Sequence, residues 1–251
     1  DEQGQYPIDG YSLETAFRVI DKCATLTLEQ KAMLEFAYID VLYQPWQLGN
    51  AYGIPNLDKY VEAHPELFVQ AIVLTYKRSD GGDDPPEWKV AAEEREHLGS
   101  RGFKLLEGMS RMPGHDSFGQ LRAERLSAWV KAVREACEAL GRRDTADRCL
   151  GKLLSGAAIG EDGVWPCEQV RQVIEELHSD SMIEGARIGV YNSRGVTWRG
   201  EGGDQERELA AKYRKWANAL RYSHPFVASE LLVGIAKTYE DEAEREDLDV
   251  G

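Results

Sequence analysis

Apolar residues recur along most of the chain at the three- and four-residue spacing of an amphipathic helix. Leu13, Phe17 and Ile20 share one face in this way near the start of the sequence. Farther on, Thr27 lies three residues before Gln30, which is the pattern of a helix N-terminal capping box. No stretch shows sustained strand alternation bounded by turn residues. The pattern predicts an all-α fold, an irregular helical bundle or solenoid of about nine to eleven helices in antiparallel hairpins.

Two of the predicted helices follow a His-Pro pair, at His64-Pro65 and at His224-Pro225. Proline is favoured at the first helical position, because the N–H that it lacks would have no partner there. The first of these helices, 65–76, is apolar on nearly every face, so we expect it to be central and buried. The other predicted helices cover residues 12–20, 27–43, 56–61, 88–98, 120–140, 145–154, 168–178, 181–188, 204–220 and 225–239.

Glycines mark the places where the helical pattern is interrupted. Gly99 and Gly102 weaken it after residue 98, although apolar residues continue beyond them, and the helix boundary stays open there. Gly141 follows the predicted helix 120–140 and is a natural residue to stop it.

The length of 251 residues allows one large domain or two small ones. We predict a single all-α domain over 1–251, with a possible internal division near 79–87. That segment holds four acidic residues, two prolines and two glycines, which predicts an exposed acidic loop or linker. Its carboxylates lack the alternate spacing of an EF-hand loop. Because the sequence starts without Met and ends in an acidic helical run, we also expect it to be a piece of a longer protein.

Charge and cysteine content narrow the classes of partner. The chain has 44 acidic and 30 basic side chains and a formal net charge of -14, which repels a phosphate backbone and disfavours nucleic acid as a partner. The four cysteines form no C-x-x-C pair, so they predict reduced thiols rather than a zinc or redox site. No apolar run reaches the roughly 20 residues of a membrane span, and no signal peptide is visible. We therefore expect a cytoplasmic protein without membrane contacts.

The stretch from 183 to 213 fits no simple amphipathic period and contains five glycines between residues 189 and 203. We predict a loop over Asn192–Arg199 that binds a protein partner. Its candidate binding residues are Asn192, Arg194, Trp198 and Arg199. Arginine and tryptophan are enriched among the residues that dominate binding energy. In the alternative interpretation, Trp198 folds back onto the core and the two arginines tie the loop to helix ends.

Two Glu-x-x-His pairs provide an enzymatic alternative, Glu94 with His97 and Glu175 with His178. On a helix this spacing allows a carboxylate and an imidazole to bind one metal, and ferritin-like di-metal bundles use two such pairs. Glu35 and Glu135 are the candidates for the remaining carboxylate ligands. Ordinary solvated side chains are the simpler interpretation, since glutamate is abundant here. We find neither a nucleophile motif nor a phosphate-binding loop, so we predict no catalytic residue, no bound metal and no cofactor.

Several segments resemble the carboxy-terminal regions of very large bacterial multidomain proteins. Some of those proteins look like NTPase-centred sensors of prokaryotic defence. The resemblance implies a helical sensing or scaffolding module whose NTP-binding motif lies in another part of the parent chain, and it carries no catalytic residue. The segments are Phe36-Ala-Tyr-Ile-Asp, Ile54-Pro-Asn-Leu, His64-Pro-Glu-Leu-Phe-Val, Tyr76-Lys-Arg-Ser-Asp-Gly-Gly, Gly189-Val-Tyr-Asn-Ser-Arg-Gly-Val-Thr and Gly202-Gly-Asp-Gln-Glu-Arg-Glu-Leu-Ala.

Two hypotheses follow from the sequence. The first is a non-catalytic all-α interaction or sensing module that contacts a protein partner or other domains of its parent chain through the Asn192–Arg199 loop. The second is a metal-dependent enzyme that uses the two Glu-His pairs. The metal content of the purified protein separates the two hypotheses.

Overall fold

A computed structural model describes residues 10–43, 52–193 and 203–249 of the chain. Within those ranges it has twelve α-helices and no strand, so the predicted all-α fold is confirmed. The only pairing of extended backbone in the described residues is an isolated bridge between His115 and Leu121. The chain divides into two compact units. Unit 1 comprises Asp1–Arg111 and Glu135–Arg142, and unit 2 comprises Met112–Arg134 and Arg143–Gly251.

Unit 1 contains the first six helices. They are α1 (Gly10–Asp21), α2 (Leu28–Ala37), α3 (Ile39–Leu42), α4 (Pro55–Ala63), α5 (Pro65–Thr75) and α6 (Ala92–Gly108). The predicted capping box at the start of α2 is present, since the Thr27 Oγ1 accepts from the Gln30 N–H and the Gln30 side chain accepts from the Thr27 N–H. Such reciprocal bonds satisfy two backbone donors that have no partner inside the helix.

The α5 helix supplies much of the core of unit 1, as its apolar sequence predicts. Phe68, Val69 and Ile72 are buried on it. The α6 helix packs against α5 through Gly99 and Gly102. A Cβ at Gly102 would lie 3.0 Å from the carbonyl oxygen of Ala71 and 2.9 Å from Oγ1 of Thr75. These glycines therefore serve close helix packing and do not end α6, which runs on to Gly108.

Unit 2 contains most of the remaining helices. They are α7 (Ala123–Ala139), whose last turns belong to unit 1, α8 (Arg143–Ser155), α9 (Glu168–Leu177), α10 (Asp180–Ser193), α11 (Asp204–Leu220) and α12 (Val233–Asp249). The α8 and α10 helices approach each other through glycine. A Cβ at Gly185 would lie 2.0 Å from the Arg148 carbonyl oxygen, and one at Gly151 would lie 2.0 Å from that of Met182.

The α12 helix is preceded by a wide π-helical turn, Val227–Leu232. Arg187 of α10 lies against this turn, where its guanidinium group donates to the Glu230 carbonyl oxygen. Gly234 leaves the space for Arg187, because a Cβ at position 234 would overlap the guanidinium group. Aromatic rings join α11 to α12, with Tyr213 stacked on Tyr239 at 5.9 Å between ring centroids. Every helix in the described ranges is too short or too polar to cross a bilayer.

Candidate functional site

The 79–87 segment, predicted to be an exposed acidic loop or linker, folds against the end of α7 within unit 1. The Ser79 N–H and the Ser79 hydroxyl both donate to the carbonyl oxygen of Gly141, each at 2.9 Å. Gly141 is required at this point, since its φ is +64° and a Cβ there would lie 2.6 Å from Asp80 Oδ2. These contacts hold the segment in place and bring Arg142 beside it.

The turn that follows is built around the Asp80 carboxylate. This group accepts from the Arg78 guanidinium at 2.8 and 2.6 Å and from the Gly82 N–H at 3.0 Å. Gly81 has a φ of +70°, a conformation that L side chains rarely adopt. Because Arg78 donates two hydrogen bonds to it, the Asp80 carboxyl has a pKa well below its usual range.

Arg142 is the buried anchor of this region, with only 1% of its surface exposed. Its guanidinium group donates to the carbonyl oxygens of Tyr76 at 2.9 Å and Leu140 at 2.8 Å, and to Asp84 Oδ2 at 2.9 Å. Hydrogen bonding from Arg142 lowers the pKa of Asp84, with smaller contributions from Arg95 and Arg78. Asp84 is therefore ionised and neutralises Arg142.

These contacts border an open cavity of about 390 Å³, which we name the basic pocket. Its cationic walls are Lys77, Arg78, Lys89, Arg95 and Arg142. The remaining lining residues are Gly81, Gly82, Asp83, Asp84 and Val90. Asp80 and Asp84 engage Arg78, Arg95 and Arg142, whereas in the described part of the chain no carboxylate pairs with the exposed Lys77 or Lys89. In a chain of net charge -14, this leaves a locally positive cavity with two available ammonium groups.

A second cavity of unit 1, of about 260 Å³, is almost entirely apolar, and we name it the apolar groove. Helices α2, α4, α5 and α6 supply most of its walls. The lining residues are Met33, Phe36, Leu57, Leu67, Gln70, Ala71, Leu74, Val90, Leu98 and Leu105. Met33, at 43% exposure, lies on the rim, and Leu57 and Leu105 are buried at the base. Val90 lines both this groove and the basic pocket.

The predicted binding loop lies mostly outside the described residues. Arg194, Trp198 and Arg199 belong to the range 194–202, which the structure does not describe. Asn192 is described and exposed, but it lies in the last turn of α10. That helix continues to Ser193, five residues beyond the predicted end at Ile188, because Gly189 packs closely against Ser155 and Lys152 of α8. The interpretation of Asn192 as a loop residue was therefore wrong.

The Glu-His pairs of the enzymatic alternative are divided between the two units. Glu94 and His97 lie on α6 in unit 1, and Glu175 and His178 lie at the end of α9 in unit 2. Glu175 accepts from the backbone N–H groups of Phe226 and Val227, both at 3.1 Å, at the start of the following helical segment. No group of three or more His, Cys, Asp or Glu side chains in the described ranges is placed to hold a metal ion.

Glu35, a proposed ligand in that alternative, caps a helix instead. It is fully buried, and its carboxylate accepts from the N–H groups of Asn56 and Leu57 in the first turn of α4, at 2.9 and 2.7 Å. The Asn56 amide and the Tyr52 hydroxyl also donate to it. Burial raises the pKa of Glu35, although these donors act in the opposite direction. Its oxygens are thus occupied by the start of α4.

Asp58 is a second buried carboxylate of unit 1. Its Oδ2 accepts from the N–H groups of Ser110 and Arg111 and from the Ser110 hydroxyl, at 3.0 to 3.2 Å, and so caps the chain after α6. Its Oδ1 is buried without a hydrogen-bond partner among the described residues. Burial raises the pKa of Asp58 to about 6, and the nearby Glu35 charge acts in the same direction.

Comparison with family models, with curated proteins and with solved structures finds no significant match to this chain. The basic pocket and the apolar groove are therefore assigned from their own geometry. Sequence analysis missed the pocket, because its cations come from four separate stretches of the chain. The available signal was the Lys77-Arg78 pair directly after an apolar helix, but the acidic residues that follow it concealed the local charge.

Proposed function

We propose that this chain is a non-catalytic helical interaction and sensing module of a larger bacterial protein, and that the basic pocket is its binding site for an anionic group. The observation that carries the proposal is the convergence of five cationic side chains on one cavity of a strongly acidic chain. Such a local positive field attracts an acidic ligand, whereas the acidic surface of the rest of the protein repels it.

The contacts of the pocket's arginines support a role in binding. Arg78 and Arg142 are held by carboxylates and carbonyl oxygens, Arg95 lies 3.6 Å from Asp84, and no Ser, Thr or Cys is among the described lining residues. The exposed Lys77 and Lys89 are the two cations available to a ligand. Ammonium groups bind carboxylate or phosphate oxygens as compact point charges, so both chemistries suit the site.

The Asn192–Arg199 segment remains a second proposed contact, for a protein partner or for other domains of the parent chain. Its two arginines and Trp198 are residue types that often dominate protein interfaces. The described part of this segment contributes the exposed Asn192 at the end of α10. The metal-dependent enzyme hypothesis has no comparable support, since Glu175 is engaged with backbone N–H groups.

A titration followed by amide NMR tests the pocket. Pyrophosphate and a hexaglutamate peptide are added separately at 20 mM NaCl, and we expect shifts concentrated at residues 77–89 and around Arg95 and Arg142. Screening should weaken binding at 150 mM NaCl, because the Debye length falls to about 8 Å. The double substitution Lys77→Glu/Lys89→Glu should abolish these shifts.

The matched control is Lys215→Glu/Lys237→Glu, which makes the same change in net charge at two exposed lysines of unit 2. The control should bind both probes within about twofold of the wild type, since neither lysine lines the basic pocket. Equal weakening by the two double variants, or shifts scattered over the whole surface, would contradict a specific anion site.

A further inference from the structure

Cationic and apolar walls are continuous where the basic pocket meets the apolar groove. Val90 lines both cavities. The α5 helix contributes Leu74 to the groove, and Lys77 of the pocket follows three residues later. On α6, Arg95 lines the pocket and Leu98, one turn farther along, lines the groove. Three stretches of chain thus pass directly from charged to apolar surface, which is the arrangement that an amphiphilic ligand requires.

The dimensions of the groove favour an extended aliphatic chain. Its volume of about 260 Å³ equals that of roughly nine water molecules, and a methylene group has a volume close to that of a water molecule. Its length along α5, from Leu67 to Leu74, is about 10 Å at 1.5 Å per residue.

We propose that unit 1 binds a small amphiphilic anion, an aliphatic carboxylate of about eight carbons, whose chain lies in the apolar groove and whose carboxylate lies at Lys77 and Lys89. This inference rests on the proposed function, since it names the ligand of the same anion site. The two cavities together fall within the range of about 300 to 1,000 Å³ that is usual for small-molecule sites.

The test is a series of straight-chain carboxylates, from acetate through hexanoate, octanoate and decanoate, titrated into the wild-type chain and followed by amide NMR. Each buried methylene should raise the affinity about fourfold until the groove is filled. Octan-1-ol and octyltrimethylammonium have the same chain but lack the anionic group. Both should bind at least fivefold more weakly than octanoate, because the charge at Lys77 and Lys89 is then unused or repulsive.

Two variants separate the parts of the site. Lys77→Glu/Lys89→Glu should lower the octanoate affinity at least fivefold and leave that of octan-1-ol unchanged. Val90→Asp places a carboxylate where the two cavities meet, so the affinity for the carboxylates should no longer increase with their chain length. If Val90→Asp does not fold, the carboxylate series on the wild-type chain still shows whether the aliphatic chain of the ligand binds in the apolar groove.

The outcomes distinguish this inference from the proposed function. Acetate and octanoate could bind equally well at the pocket, or hexaglutamate could bind there while octanoate does not. Either result would refute the proposal of an amphiphilic ligand and would leave the proposal of an anion-binding site in place. If octanoate and octan-1-ol bind equally well and the lysine double variant changes neither, the groove binds a neutral apolar ligand and the amphiphilic anion is wrong. The anion site fails as well only if that variant also leaves the binding of pyrophosphate and hexaglutamate unchanged. A fourfold gain in affinity per methylene, combined with weaker octanoate binding by Lys77→Glu/Lys89→Glu, supports both proposals.

Discussion

Arg142 and Asp84 form a two-point ion pair with Nη1 to Oδ1 at 2.7 Å and Nη2 to Oδ2 at 2.9 Å. The side chains of the two residues are 1% and 9% exposed. Arg142 also donates to the Tyr76 and Leu140 carbonyl oxygens. The Arg142 guanidinium group thus connects the end of α5, the 79–87 segment and the end of α7. The shape of the basic pocket depends on this connection.

We expect Asp84→Ala to lower the free energy of unfolding by about 3 kcal/mol, because it leaves the Arg142 charge buried without its counter-ion. Urea denaturation followed by tryptophan fluorescence measures this loss. The effect should change little between 50 and 500 mM NaCl, since a buried pair is poorly screened.

The matched control is Glu240→Ala, which removes the partner of Arg214. That pair has similar geometry, at 2.9 and 2.7 Å, but both side chains are more than 40% exposed. Its loss should cost under about 1 kcal/mol and should depend on salt. If Asp84→Ala and Glu240→Ala lowered the free energy of unfolding equally, the Arg142–Asp84 pair would not be the anchor of the 79–87 segment.

Local signals in the sequence predicted the helices well. The Thr27 cap, the His-Pro helix starts and the stop at Gly141 all depend on neighbouring residues, and each is present in the structure. Gly99 and Gly102 were harder to interpret. Whether a glycine breaks a helix or allows a second helix to approach depends on what lies opposite, which here is the α5 backbone.

The basic pocket was not predictable from local sequence pattern, because it too depends on residues that are far apart in the sequence. Composition suggested that residues 79–87 are solvated, yet Asp84 is neutralised by Arg142, which lies 58 residues away along the chain. The Ser79 contacts with Gly141 that bring the two stretches together involve backbone groups, which every residue carries. The sequence thus contained the charged residues of the site without any signal of their pairing.

Stability should depend on pH through Asp58. Its pKa is raised to about 6 in the folded chain, against an ordinary value of 3.8, so its contribution to stability is fully present below pH 3.8 and is lost as pH rises through 6. From pH 7.5 to pH 5 this single group should add about 1.4 kcal/mol to the free energy of unfolding.

The variant that checks this effect is Asp58→Asn, which keeps an acceptor for Ser110 and Arg111 but does not titrate. The difference in unfolding free energy between wild type and variant should change by about 1.4 kcal/mol between pH 7.5 and pH 5, measured by urea denaturation at each pH. A constant difference across that range would show that Asp58 titrates at an ordinary pKa.

Close packing of α8 on α10 should make Gly185 intolerant of any side chain. A Cβ there would lie 2.0 Å from the Arg148 carbonyl oxygen, and backbone atoms cannot move away without separating the helices. We expect Gly185→Ala to cost about 3 kcal/mol in the free energy of unfolding, despite the better helix propensity of alanine. Glu184→Ala, at the adjacent exposed position, should cost under about 1 kcal/mol. Thermal melts of the two variants should therefore differ clearly, and similar melting temperatures would disprove the close approach.

The last prediction concerns Glu175, to which the structure and the metal hypothesis give different roles. In the structure its carboxylate accepts from the N–H groups of Phe226 and Val227, which open the segment leading to α12. Loss of a capping acceptor costs about 1 to 2 kcal/mol, so Glu175→Ala should lower the melting temperature by several degrees.

Glu175→Gln should recover part of that loss, because an amide oxygen still accepts a hydrogen bond while the favourable charge at a helix start is removed. Glu176→Ala provides the comparison, since Glu176 is exposed and, within the described ranges, accepts hydrogen bonds from the side chains of Ser127 and Lys131. Metal content is measured on the same samples by mass spectrometry. If wild-type protein carried stoichiometric iron, manganese or zinc that both Glu175 variants lost, a metal site would have to replace the capping role. Glu175 would be a helix cap if the wild type were the most stable, Glu175→Gln intermediate and Glu175→Ala the least stable, with the same metal content in all three.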